Sequence, residues 1–197
     1  ISFNAPLAFD SKIEAGDVTM ADMFKVYRFE NKMYVLNMTG KEVLGHLEES
    51  YVRWVNTMKR PEDHLLLLNH ASKEYQQRTG FLNYTFNFDS ASGIDYEVDV
   101  TKPNGQKVRI LRMSNGEPFQ MNKTYKVVMN SYRGNGGGDL LTKGAGIPKE
   151  EINSRIIYQS PLDLRHYLTQ EIERLGNVNP QAAHNWNFIP EEWTIPA

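Results

Sequence analysis

Hydrophobic positions recur along the chain with two different periods, and the switch between them outlines its elements. Met20, Met23, Phe24 and Tyr27 are spaced as on a helix behind Thr19, which forms a capping-box arrangement with Asp22 and predicts a short helix. MYVLNM (Met33 to Met38) reads as a strand. It ends at Thr39, which with Glu42 makes a second capping box ahead of a long helix. That helix has Val43, Leu44, Leu47, Tyr51 and Val55 on one side, with Lys41, Glu48 and Glu49 expected toward solvent. Residues 59–80 are polar, broken by Pro61, and read as a long excursion rather than a linker between domains.

Period-two patterns take over from there. FLNYTFNF reads as a strand ending in Phe88. IDYEVDV alternates Ile94, Tyr96 and Val98, and KVRILRM alternates Val108 with Ile110, with Asn104-Gly105 between them as a hairpin turn. Asn115-Gly116 marks the next turn, and TYKVVMN is a strand that delivers the chain into NSYRGNGGGDLL, Asn130 to Leu141. Ser160 as N-cap with Pro161 at the first helical position predicts a final helix, its stripe of Leu164, Leu168, Ile172 and Leu175 packing into the core before Gly176 ends it. The tail HNWNFIPEEWTIPA has no period but carries two tryptophans, so it is expected to strap across the fold. The division is residues 1–160 as the main domain, and 161–197 as a helix and tail packed on it.

Composition narrows the function classes. A hydrophobic content of 40%, 23% charge and 10 tyrosines, 9 phenylalanines and 3 tryptophans are those of a globular chain. A net charge of -2 without a long run of lysine and arginine disfavours a nucleic-acid polymer as partner. With no cysteine there is no disulfide, thiolate metal site or cysteine nucleophile. Apolar runs such as Leu65 to Leu68 are far short of the roughly 20 residues of a membrane span, and none is expected. The first residue, Ile1, gives the chain the look of one cut from something longer or processed at its start.

No catalytic constellation is self-sufficient here. His46, His64, His70, His166 and His184 include no pair at helical metal-ligand spacing, and no serine sits in a G-x-S-x-G elbow. The glycines at 134, 136, 137 and 138 fit neither a P-loop nor a dinucleotide fingerprint. They still allow close backbone approach and positive φ, and Asp139 could accept hydrogen bonds from a base edge or a sugar hydroxyl, so the loop reads equally as a plain turn or a ligand cradle. Tyr132 beside it could stack on a planar ligand, or simply pack. Phe88, ahead of DSASG, could be a core residue or half of an aromatic clamp.

GDVTMADMFKVYRFENKMYVLNMTGKEVLGHLE, with the later FDSASGIDYEVDVTKPNGQKVRIL and GEPFQMNKTYKVVMNSYRGNGGGDLL, resembles the C-terminal domain of the 5'-nucleotidase family over roughly residues 1 to 147. That family includes the 2',3'-cyclic-nucleotide 2'-phosphodiesterase/3'-nucleotidases. The resemblance implies an α+β fold, a single mixed or antiparallel sheet packed with several helices. It also implies a nucleoside-binding domain in a two-domain hydrolase that is periplasmic or at the cell surface. The catalysis, with two divalent metals of zinc or manganese type, would belong to an N-terminal metallophosphoesterase domain, the partner of this one.

The family's two base-stacking aromatics fall on Phe88 and Tyr132, and its acid after the glycines falls near Asp139. Asn135, Gly136, Gly137 and Gly138 would then line the nucleoside, with Arg133 as a source of positive charge or a solvent-facing arginine. The arginine that precedes the family's G-D-V-T region has no counterpart between Ile1 and Lys25, and a basic family position falls on Thr39. Both departures, with SYRGNGGG and FNAPL, point toward the cyclic phosphodiesterase/3'-nucleotidase branch rather than plain 5'-mononucleotides. The alternative is a non-catalytic nucleotide-binding or surface interaction module that retains the fold.

Overall fold

The computed structural model describes residues 1–6, 11–69 and 80–196. Most of the excursion after residue 69, with His70, and positions 7–10 of FNAPLAFD lie outside them. The elements in chain order are β1 (Ser2–Asn4), α1 (Met20–Val26), β2 (Lys32–Thr39), α2 (Gly40–Trp54), β3 (Ser90–Ser92), β4 (Ile94–Asp99), β5 (Val108–Met113), β6 (Thr124–Asn130), α3 (Ser131–Gly134), α4 (Ile152–Arg155), β7 (Ile156–Asp163), α5 (Leu164–Leu175), β8 (Trp186–Ile189) and α6 (Glu191–Thr194). Mixed sheets packed with helices make this an α+β fold. The strands divide between two sheets, however: five strands in the order β3-β1-β6-β2-β7 and three in the order β5-β4-β8.

Both capping boxes form. The Thr19 and Thr39 side chains accept the backbone N–H of Asp22 and Glu42, whose carboxylates reach back to the cap N–H groups. β2 alternates as its sequence does, burying Tyr34, Leu36 and Met38 while pairing antiparallel with β6 on one side and β7 on the other. α2 lays Val43, Leu47 and Tyr51 over that face and, with Val55 just beyond its end, also onto Ile94, Tyr96 and Val98 of the smaller sheet. Each such buried side chain contributes on the order of 1.5–3 kcal/mol. One helix therefore supplies the core shared by both sheets.

Four expectations change. Glu48 is buried rather than solvated, because its carboxylate accepts the N–H groups of Lys107 and Val108. Residues 81–88 are not a strand: Phe81 makes an isolated bridge to Leu68, and Thr85–Asn87 form a 3₁₀ turn. The helix expected from Ser160 is α5, which begins instead at Leu164, capped by Asp163, whose side chain accepts the His166 N–H. Ser160 and Pro161 belong to edge strand β7, where the register with β2 shifts. A missing proline N–H is tolerated there. Finally, Leu164, Leu168 and Ile172 are only half-buried and Leu175 is exposed, because α5 packs on β7 and the short α1 rather than on the main core.

The tail joins the smaller sheet as β8, parallel to β4, with Trp186 stacked on Tyr96 at 5.8 Å between ring centroids.

Candidate functional site

Three segments converge at the end of β6. Asn130 caps α3 by accepting the Arg133 N–H at 2.8 Å, and this tight start turns Tyr132 outward, 39% exposed. The 85–87 turn brings Phe86 against it edge-on, with centroids 5.9 Å apart and planes at 88°. Tyr84 stacks on Phe86 at 5.1 Å. Between α1 and β2, Phe29 and Asn31 complete the surround, Asn31 donating to the Tyr27 hydroxyl and accepting from Ser131. Phe29, Asn31, Phe86, Asn130 and Tyr132 line a cleft of about 160 Å³ that is mostly apolar with two carboxamides at its margin. Such a site suits a flat ring with polar edges.

Phe88 is not part of it. It is 1% exposed, stacked on Trp54 at 5.2 Å and met edge-on by Phe81. In a strand, Phe86 and Phe88 would share a face. In a 3₁₀ turn of three residues per turn, positions two apart diverge, so Phe86 stays at the surface while Phe88 enters the core. The aromatic facing Tyr132 is thus Phe86, a residue that reading 81–88 as a strand obscured.

Arg133 is 2% exposed and faces inward, so it is neither a solvent-facing cation nor one open to a phosphate. Its Nε and Nη2 make a two-pronged contact to Asp89 at 2.8 and 2.9 Å. His46 contacts the same carboxylate through Nε2 at 2.7 Å, and its ring stacks on Phe3 at 4.0 Å. Burial lowers the His46 pKa, against the opposing pull of Asp89, so the ring is neutral and donates from Nε2. Burial alone would raise Asp89, but the His46 hydrogen bond and the Arg133 charge outweigh it and hold it below the usual carboxylate range. Asp89 and His46 lie within the two stretches that carry the family resemblance, but nothing in their spacing pairs them.

The glycine loop forms a second depression, of about 500 Å³, lined by Asn135, Gly136, Gly137, Asp139 and the 146–149 segment. Gly138 (φ +71°) does not line it. A Cβ there would overlap Asn87 Oδ1 and Arg133 Nη1, which the close approach of the two segments forbids. Asp139 also has positive φ, and its carboxylate pairs with Lys143 at 3.1 Å. Gly137 lies directly against the Tyr132 ring, so the two depressions meet at that residue. Among the described residues no group of three or more His, Cys, Asp and Glu side chains is placed to hold a metal. No helix among them is long and apolar enough to cross a membrane.

Comparison with known proteins matches residues 1–143 to the family described as 5'-nucleotidase, C-terminal domain. The trifunctional nucleotide phosphoesterase protein YfkN of Bacillus subtilis is 29% identical over 195 residues, 93% of this chain and 12% of that protein. The 2',3'-cyclic-nucleotide 2'-phosphodiesterase/3'-nucleotidase of Salmonella typhimurium is 29% identical over 202 residues, 95% of this chain and 28% of that protein. A candidate 5'-nucleotidase of Staphylococcus aureus superimposes with a TM-score of 0.65 at 25% identity, over 95% of this chain and 32% of its own. The chain thus spans less than a third of each of these relatives.

Proposed function

Because the chain belongs to the family of 5'-nucleotidase C-terminal domains, we propose that it is the nucleoside-binding part of a longer nucleotide phosphoesterase, and that its base site is the cleft between Phe86 and Tyr132. The observation that carries this reading is the cleft itself, with two aromatic walls, a third ring at Phe29 and the carboxamides of Asn31 and Asn130 at its edge. Base stacking on such rings contributes roughly 1–3 kcal/mol per base, and amides supply hydrogen bonds to the ring edges. The neighbouring glycine depression would take the sugar, with Asn135 and Asp139 as its polar groups.

In this proposal the chain binds and orients the nucleoside, and hydrolysis of the phosphate ester belongs to the rest of the longer protein. Secretion to the periplasm or cell surface is part of the same reading. The substrate favoured is a 2',3'-cyclic or 3'-nucleotide. Supporting this, no arginine lies between Ile1 and Lys25, Thr39 is engaged in capping α2, and Arg133 is committed to Asp89, so none of these three places offers a cation to a 5'-phosphate.

Titration of the chain with adenosine, read by intrinsic fluorescence, tests the site. Phe86→Ala and Tyr132→Ala are each expected to weaken binding by about 1–3 kcal/mol. Unchanged affinity in both variants would sink the assignment. Turnover of 5'-, 3'- and 2',3'-cyclic nucleotides by the longer protein then decides the substrate class.

A further inference from the structure

The guanidinium of Arg133 bonds both to the turn that carries Phe86 and to the glycine segment packed against Tyr132. Toward the first, Nη2 donates to the Phe86 carbonyl at 2.9 Å and Nη1 to Asn87 Oδ1 at 3.4 Å, both within the turn that carries Phe86. Toward the other, Nη1 donates to the carbonyl of Gly137, the residue lying against the Tyr132 ring, while Arg133 itself follows Tyr132 in α3. With the two bonds to Asp89, all five N–H groups of the fork are engaged. Asp89 is fixed in turn by His46 from α2, and Ser50 of the same helix donates to the Asp89 carbonyl at 2.7 Å. The two aromatics are borne by segments more than forty residues apart in sequence, which also approach each other at Gly138 and Asn87, and the rings themselves meet at an edge.

From this we infer that Arg133 is a positioning residue. It touches no ligand, but ties the Phe86 turn to the Tyr132 and glycine segment and so sets the separation and tilt of the two rings. The inference deepens the clamp reading and rests on it. Lysine keeps the charge but not the planar fork, so it could reach Asp89 and still release at least one wall.

Arg133→Lys in the 197-residue chain separates the alternatives. In the ligand-free parent, ring protons of Phe86 and Tyr132 should show mutual nuclear Overhauser contacts. In Arg133→Lys these are expected to vanish, with adenosine affinity falling about tenfold, whereas in a Phe86→Ala background the same change should cost less than about twofold because nothing is left to position. Retained ring contacts with affinity within twofold of the parent would overturn the inference, as would an equal loss in both backgrounds, which is the signature of general loosening. Should Arg133→Lys fail to fold, the charge-balanced pair Arg133→Met with Asp89→Asn is read in the same way, since it leaves no buried charge unpaired. If Phe86→Ala and Tyr132→Ala leave affinity unchanged, the clamp reading fails. The ring contacts then still report on their own whether Arg133 sets the geometry.

Discussion

His46 is fully buried between Phe3 and Asp89, and its Nδ1 has no partner among the described residues, so a second proton on the ring finds no acceptor there. Burial lowers its pKa below the ordinary value of about 6.5, with Arg133 and Arg53 adding to the effect against Asp89. The unfolded chain therefore binds a proton that the folded chain refuses. Stability from this group is fully present above about pH 6.5 and is lost as pH falls toward the folded value, by at most about 1.4 kcal/mol per pH unit. Asp89, also lowered, adds a loss only further into acid. The melting temperature should fall between pH 7.5 and 5, and His46→Gln should flatten that slope even though it lowers the plateau. Parallel pH profiles for the two proteins would refute this account.

At the scale of elements, what the sequence showed was what local chemistry decides. Thr39 and Glu42 announce the start of α2 because the capping box is complete within four residues, and the stripe behind it is buried as its spacing implies. Since α2 carries core for both sheets, Thr39→Ala should lower the unfolding free energy by about 1 kcal/mol, the usual cost of an N-cap, at unchanged denaturant dependence. A urea midpoint equal to the parent's would show that the cap is dispensable.

Where tertiary pairing decides, the sequence misled. Ser160-Pro161 looks like a helix start, yet the Ser160 hydroxyl accepts the Met33 N–H and donates to Leu162, stitching a bulge in β7 to β2. Glu48 looks solvated until β5 presents two backbone N–H groups to it. The same gap explains the site. Tyr132 could be singled out from its place before the glycines. Phe86 could not be told from Phe88 without knowing that residues 85–87 tighten into a 3₁₀ turn, and Asn31 arrives from a segment a hundred residues away from Ser131, its partner.

Across the whole molecule, the tail and the cleft are linked through one aromatic cluster. Trp186 of β8 stacks on Tyr96, meets Tyr51 and Trp54 edge-on, and Trp54 in turn stacks on Phe88, two residues from Phe86. Asn185 strengthens the junction by donating to the carbonyls of Ala91 and Ile94 at 2.9 and 2.7 Å. The smaller sheet thus depends on its last strand for its third member, and large aromatic truncations in such a setting cost about 3 kcal/mol or more. Trp186→Ala is expected to lower the unfolding free energy by about that much, and the size of the loss tests whether the tail is integral. A second reading tests how far the cluster reaches. Phe86 is held by Arg133 as well as by its chain neighbours, so at temperatures where Trp186→Ala remains folded its adenosine affinity should stay within about twofold of the parent's, as for sites with no shared partner. An affinity loss as large as that of Phe86→Ala would mean that the cleft takes its shape from the core beneath it rather than from the buried arginine.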